Sequence, residues 1–121
     1  MINLLQHVQD ISKISNVLFS IIIIAVVTYL HVMTTPSIEI DTFLSIDKVV
    51  HMIIFYFVGL WFFLITKQNH SFVLMILLCI YALTMELLQM SLAYRSFDWF
   101  DWVADVFGLL LSFFHLSKKL Y

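Results

Sequence analysis

The sequence has few of the residues that break or cross-link a chain. Among its 121 residues there are two glycines, one proline and one cysteine. A single cysteine cannot form an internal disulfide, and the absence of repeats and low-complexity tracts gives no sign of a linker or a disordered tail. The length suits one domain and is too short for two. We therefore expect residues 1–121 to form a single domain.

Charge is also scarce. Charged residues make up 12% of the chain, about half the share found in an ordinary soluble domain. The net charge of −2 gives no electrostatic basis for binding nucleic acid. Hydrophobic residues make up 63% and the mean hydropathy is +1.03, more apolar surface than a soluble fold of this size can bury. The composition therefore predicts an integral membrane protein whose main partner is the lipid bilayer.

Four apolar runs are long enough to cross a bilayer as helices. They cover Val17–Met33, Val49–Ile65, Phe72–Leu88 and Trp99–Leu116. The connection after the second run is a short polar turn, and the connection after the third is also brief. Short connections make consecutive helices antiparallel. We therefore predict an all-α, polytopic membrane protein, an up-down bundle of four transmembrane helices.

The segment before the first run allows two interpretations. Residues 1–16 place Leu4, Leu5, Val8 and Ile11 on one helical face. A helix with such a face can lie along the membrane surface. The alternative is a frayed terminus without regular structure. The sequence does not separate the two.

The basic residues predict the orientation. Four lysines fall on the side of the membrane that holds the two termini and the second connection, and one lysine and one arginine fall on the other side. Loops rich in lysine and arginine stay in the cytoplasm. We therefore expect a multi-pass protein of the cytoplasmic membrane with both termini in the cytoplasm.

Ionisable residues cluster where three of the predicted helices meet the outer membrane face. The second helix begins there, the third ends there and the fourth begins there, so their terminal turns lie at one depth. Spacings of three or four residues place these groups on single helix faces. On the fourth helix the stripe continues through Gly108 and Ser112, small residues that let another helix approach closely. The predicted polar cluster consists of Asp47, Lys48, His51, Glu86, Gln89, Arg95, Asp101 and Asp105.

The carboxyl groups of this cluster outnumber the groups that could neutralise them. A carboxylate costs about 2.5–3.5 kcal/mol at the middle of a bilayer and less near its surface. Lys48, His51 and Arg95 are the available partners, so we expect at least one carboxyl to hold its proton. An ionisable side chain within a membrane span marks a functional site by default, and this applies most directly to Glu86. The alternative for Glu86 is a helix–helix hydrogen bond worth about 1 kcal/mol.

Other polar residues near this face also allow two interpretations. His51 is either a general base or metal ligand, or an imidazole hydrogen-bonded to a neighbouring carboxylate. Arg95 either binds a phosphate or carboxylate, or neutralises the local acids. We expect Asp98 to cap the fourth helix and Lys48 to anchor the second helix at the interface. The sequence assigns no role to His31, His70 and His115.

The order and spacing of the cluster residues are similar to a known pattern. The matching elements are Asp47-Lys48-x-x-His51, Glu86-x-x-Gln89, Arg95, Asp101 and Gly108. This set resembles the VanZ-like family of small bacterial membrane proteins, over about residues 45–112. The resemblance implies a cell-envelope role connected with susceptibility to the glycopeptide teicoplanin, and it implies no particular reaction. The chain departs from the family pattern at three positions, which carry Phe55, Asp105 and Ser112 where Tyr, Asn and Gly are usual.

Three classes of function fit these residues. The first is a binding or accessory protein that recognises an envelope headgroup or a lipid-linked precursor, with Lys48 and Arg95 meeting an anion. The second is a membrane-embedded enzyme that uses the His and carboxylate groups on a lipid-linked phosphate. The third is a proton or ion pathway, which is disfavoured because only Ser112 and His115 continue the polar stripe into the inner half of the bundle. No cofactor is predicted; no zinc signature is present, and Mg²⁺ or Ca²⁺ would suit the acids if a metal binds.

Overall fold

The computed structural model describes residues 13–33, 46–93 and 98–120. In these ranges the chain forms four α-helices, with a short 3-10 turn at Gln68–His70. The helices are α1 (Lys13–Val32), α2 (Ile46–Ile65), α3 (Ser71–Met90) and α4 (Trp99–Leu120). All four are long and apolar enough to cross a membrane, which confirms the predicted all-α multi-pass architecture. Residues 13–16 belong to α1, and the rest of the predicted interfacial segment lies outside the described residues.

The closest helix pair is α2 with α4, two helices that are not neighbours in the chain and that run parallel. Their backbones approach closely at two glycines. A side chain at Gly108 would meet the backbone of Met52 and Tyr56, and one at Gly59 would meet the side chain of Ser112. The expected close approach at Gly108 and Ser112 is therefore confirmed, and its partner is α2.

The helices α1 and α3 pack beside this pair and are joined to the bundle by polar side chains. The hydroxyl groups of Thr28 on α1 and Tyr81 on α3 are 3.0 Å apart. The indole of Trp61 on α2 donates a hydrogen bond of 3.0 Å to the hydroxyl of Ser20 on α1. Hydrogen bonds between membrane helices contribute about 0.6 kcal/mol on average, so these contacts fix the helix positions more than they hold the bundle together.

The surface and the interior have opposite polarity at one end of the bundle. Large apolar side chains such as Ile22, Phe57, Ile80 and Phe114 are exposed on all four helices, as expected for surfaces that face lipid. The interior is apolar along most of its length, with Phe55 and Leu109 fully buried. At the end where α1 and α3 finish and α2 and α4 begin, most of the buried side chains are polar. We refer to this as the polar end.

The two glycines give a test of the α2–α4 contact. Gly108→Ala places a methyl group against the backbone of α2, which cannot rotate away, so we expect a loss of about 1–3 kcal/mol in the free energy of unfolding. The methyl group of Gly59→Ala would meet side chains and no backbone, chiefly the side chain of Ser112, so the double variant Gly59→Ala/Ser112→Gly should recover most of the loss caused by Gly59→Ala. Thermal melting in detergent measures both. Equal stability of Gly108→Ala and the wild type would contradict the close approach.

Candidate functional site

Every helix contributes at least one buried ionisable side chain to the polar end, and α4 contributes both Asp101 and Asp105. Four of these side chains, one from each helix, come together: His31 on α1, His51 on α2, Glu86 on α3 and Asp105 on α4. The two imidazoles are 3% and 5% exposed, and the two carboxyl groups are fully buried. One ligand-type atom from each of the four lies within 4.8 Å of the others. We call these four residues the central cluster.

The shortest contact in the central cluster joins α2 to α4. His51 Nδ1 lies 2.8 Å from Asp105 Oδ1, and Glu86 Oε1 lies 3.8 Å from the same nitrogen. On its other side, His51 Nε2 lies 3.9 Å from Asp47 Oδ1. Because carboxylate oxygens flank both nitrogens, the His51 ring can hold a proton on either of them. His51 and Asp105 therefore form an acid–base pair shielded from lipid and solvent.

His31 completes the cluster from α1. Its Nδ1 lies 2.7 Å from the carbonyl oxygen of Val27, one turn earlier. A carbonyl oxygen can only accept a hydrogen bond, so Nδ1 carries a hydrogen, and in the neutral ring the lone pair lies on Nε2. The ring meets the His51 ring edge-on at a centroid distance of 5.1 Å. Sequence reasoning assigned His31 no role, because a lone histidine in an apolar run has no spacing partner. The signal that could have identified His31 as a member of the cluster is its position at the end of α1, at the same depth as His51.

Lys48 is held by two acids at the start of α4. Its Nζ lies 3.2 Å from Asp98 Oδ2 and 3.6 Å from Asp101 Oδ1. Asp98 also accepts a hydrogen bond of 2.9 Å from the backbone N–H of Phe100, so the expected helix cap is confirmed. Lys48 thus ties the first turn of α2 to the first turn of α4, and its charge is already balanced within the protein.

Two predicted site residues remain, Gln89 and Arg95. The side-chain amide of Gln89 is buried and donates a hydrogen bond of 3.0 Å to the carbonyl oxygen of His31, so it joins the ends of α3 and α1. Arg95 lies outside the described residues.

Phe55, which stands where the family usually has Tyr, is fully buried and packs edge-on against the His31 ring at 5.8 Å. The next residue, Tyr56, contacts His115 instead.

The acids of the polar end are incompletely satisfied within the protein. Among the described residues, no group donates a hydrogen bond to either carboxyl oxygen of Glu86 or to Oδ2 of Asp105. A buried acceptor without a donor costs about 1–3 kcal/mol. The arrangement can therefore accept a proton, a donor group or a cation. A second set of possible metal ligands consists of Asp47, His51 and Asp101. It shares His51 with the central cluster and reaches the surface at the exposed Asp47.

The hydrogen bond of Gln89 gives a prediction for stability. Gln89→Leu keeps the buried volume and leaves the His31 carbonyl oxygen without this donor, so we expect the free energy of unfolding to fall by about 0.5–1.5 kcal/mol. Gln68→Leu, at an exposed turn at the other end of the bundle, is the matched control and should change it by less than about 0.5 kcal/mol. Unfolding in mixed micelles measures both. If Gln89→Leu proved as stable as the wild type, this bond would have no role in joining α1 to α3.

Comparison with known proteins assigns the chain to a family. No curated protein matches it, and no solved structure matches it. A family model described as VanZ/LLP1 matches residues 2–118. This range includes all of the described helices α1, α2 and α3 and nearly all of α4. The resemblance drawn from the spacing of the polar residues is confirmed, and the chain belongs to the VanZ/LLP1 family.

Proposed function

We propose that this protein acts in the cell envelope as a binding protein, and that its polar end receives a headgroup or a lipid-linked envelope precursor. Binding there would alter susceptibility to glycopeptides such as teicoplanin. Membership of the VanZ/LLP1 family supports the envelope role. The observation that carries the binding role is Glu86, whose two carboxyl oxygens are fully buried and accept no hydrogen bond from any described residue. A buried carboxyl group whose oxygens lack hydrogen-bond donors is better suited to bind a ligand than to fix helix packing.

The charge balance indicates which part of a ligand this end would accept. The described polar end holds five carboxyl groups, and the groups that could carry positive charge there are Lys48 and the imidazoles of His31 and His51. The carboxyl groups belong to Asp47, Glu86, Asp98, Asp101 and Asp105. Since Lys48 is already paired with two acids, a bare phosphate would meet net repulsion here. An ammonium or hydroxyl group would find acceptors. The anion contact was expected at Lys48 and Arg95; Lys48 is already paired with acids, and Arg95 lies outside the described residues.

The exposure of the acids increases toward the surface of the polar end. The side chain of Asp47 is 57% exposed and that of Asp98 is 37% exposed, whereas Asp101 is 9% exposed. Glu86 and Asp105 lie below them and are fully buried. A donor group that approaches from this end would meet accessible carboxylates before it reached the central cluster. We place this end at the outer face of the cytoplasmic membrane, with both termini inside, in keeping with the distribution of lysines.

An enzyme acting on a lipid headgroup is the second candidate. The contact of 2.8 Å between His51 and Asp105, with Glu86 nearby, supplies the parts for proton transfer. Phosphate release from a lipid-linked phosphate by the purified protein would favour this candidate over simple binding. A proton pathway has less support, because the Ser112 hydroxyl, next along the α4 stripe, donates to the Leu109 carbonyl oxygen of its own helix.

Removing the charge of Glu86 tests the proposed function. We expect expression of the wild type in a susceptible Gram-positive host to lower its susceptibility to teicoplanin, and Glu86→Gln to abolish this effect. The change keeps the shape of the side chain and removes the carboxylate that would accept the ligand. Lys67→Gln, which removes an exposed charge at the opposite end of the bundle, should protect as the wild type does. Growth at graded antibiotic concentrations is the measurement.

The membrane level and detergent melting temperature of each variant separate loss of function from loss of folding. Full protection by Glu86→Gln at the wild-type membrane level would contradict the binding role of the polar end. An absence of protection by the wild type itself would contradict the link with glycopeptides.

A further inference from the structure

We propose that the central cluster is a metal site that holds one divalent first-row transition metal ion, Zn²⁺ by preference, with one ligand from each of the four helices. The ligands are His31, His51, Glu86 and Asp105. Their ligand atoms already lie within 4.8 Å of one another. Metal–ligand bonds of about 2.0–2.2 Å require the most distant of these atoms to approach by roughly an ångström and the His51 and Asp105 atoms, now 2.8 Å apart, to separate slightly, which small side-chain rotations can supply. This site does not depend on the proposed envelope role.

The first support is the setting of the two imidazoles. A metal-bound histidine uses one ring nitrogen for the metal and donates the hydrogen of the other to a carbonyl or carboxylate oxygen. His31 already has this arrangement, because Nδ1 donates to Val27 and the lone pair lies on Nε2. In His51, Nδ1 faces Asp105 and Glu86, and Nε2 lies 3.9 Å from the carboxylate of Asp47. Metal binding at Nδ1 would leave the ring hydrogen on Nε2, directed toward Asp47.

The second support is the state of the two carboxyl groups. Glu86 is fully buried, and neither of its oxygens accepts a hydrogen bond from a described residue. Its Oε1 lies 3.8 Å from His51 Nδ1, so the carboxyl group points into the cluster. Asp105 uses one oxygen for His51, and its other oxygen also has no donor among the described residues. A dication would satisfy these oxygens and balance both negative charges at once.

The ligand types decide which metal is expected. Carboxylates alone would favour Mg²⁺ or Ca²⁺, the ions first considered for the acids. The addition of His31 gives two imidazoles and two carboxylates, a mixed N/O set that suits Zn²⁺, Fe²⁺ or Mn²⁺. Zn²⁺ accepts a closed tetrahedral set of four protein ligands, which corresponds to one ligand from each helix. The ion would then fasten the ends of α1 and α3 to the starts of α2 and α4.

Metal binding by the purified full-length protein in detergent tests this inference. After treatment with EDTA and removal of the chelator, Co²⁺ is added as a spectroscopic probe and Zn²⁺ as its competitor. We expect one Co²⁺ per chain with the visible absorption of a low-coordinate N/O site, its displacement by an equivalent of Zn²⁺, and a higher melting temperature with Zn²⁺. Loss of an outer-sphere partner costs about 10–100-fold in affinity, so Asp47→Asn should weaken binding to that extent. His31→Gln and Glu86→Gln should weaken it further.

His70→Gln is the matched control, because it removes an exposed imidazole at the other end of the bundle and should bind Co²⁺ as the wild type does. The wild-type titration needs no variant, and melting in EDTA shows whether each variant is folded. Absence of a Co²⁺ spectrum from the wild type would overturn the proposal, as would equal binding by the folded His31→Gln variant. A negative result here would leave the teicoplanin experiment unaffected, since metal content is measured without reference to antibiotic susceptibility.

Discussion

The contact between His51 on α2 and Asp105 on α4 depends on how closely those two helices approach. Gly108 lies against the backbone of α2, and Gly59 lies against Ser112, so neither helix has a side chain that would hold the other away. With the helices this close, the imidazole reaches the carboxylate at 2.8 Å, and both side chains are buried. Glu86 and His31 then approach the same pair from α3 and α1. The polar end is thus a consequence of backbone packing deeper in the bundle.

The helices and most of the polar end could be predicted from the sequence, because their signals lie within short stretches of the chain. Long apolar runs identify membrane spans, and spacings of three or four residues place Asp101, Asp105 and Gly108 on one face of α4. The parallel directions of α2 and α4 follow from the predicted up-down topology. Their close pairing could not be predicted, because it depends on Gly59 fitting against Ser112, a residue far away in the chain. His31 was missed for a related reason, since only the folded bundle brings α1 beside α2. Gln89 is buried one turn from Glu86 on α3, and its partner, the His31 carbonyl oxygen on α1, is one that only the folded bundle supplies.

The polar end combines groups that are satisfied by the protein with groups that are not. Gln89 and Lys48 have partners on other helices and contribute to the architecture. Glu86 is buried at the same end and, among the described residues, accepts no hydrogen bond. In hydrocarbon surroundings an unsatisfied carboxyl group lowers stability, and sites of this kind are retained where a ligand, a metal ion or a proton completes them. That at least one carboxyl group of the polar end holds its proton stays a prediction. A bound proton is one of the ways in which such a site can be completed.

The stability of the Glu86→Met variant, measured in EDTA and without added ligand, tests most directly whether Glu86 serves binding and not packing. Methionine fills a similar volume and has no charge to bury. If Glu86 is kept for a ligand or a metal ion, this variant should unfold at a higher temperature than the wild type, with a gain of about 1–3 kcal/mol in the free energy of unfolding. If the variant is instead less stable than the wild type, Glu86 is a packing residue and the polar end is not a binding site of the kind described.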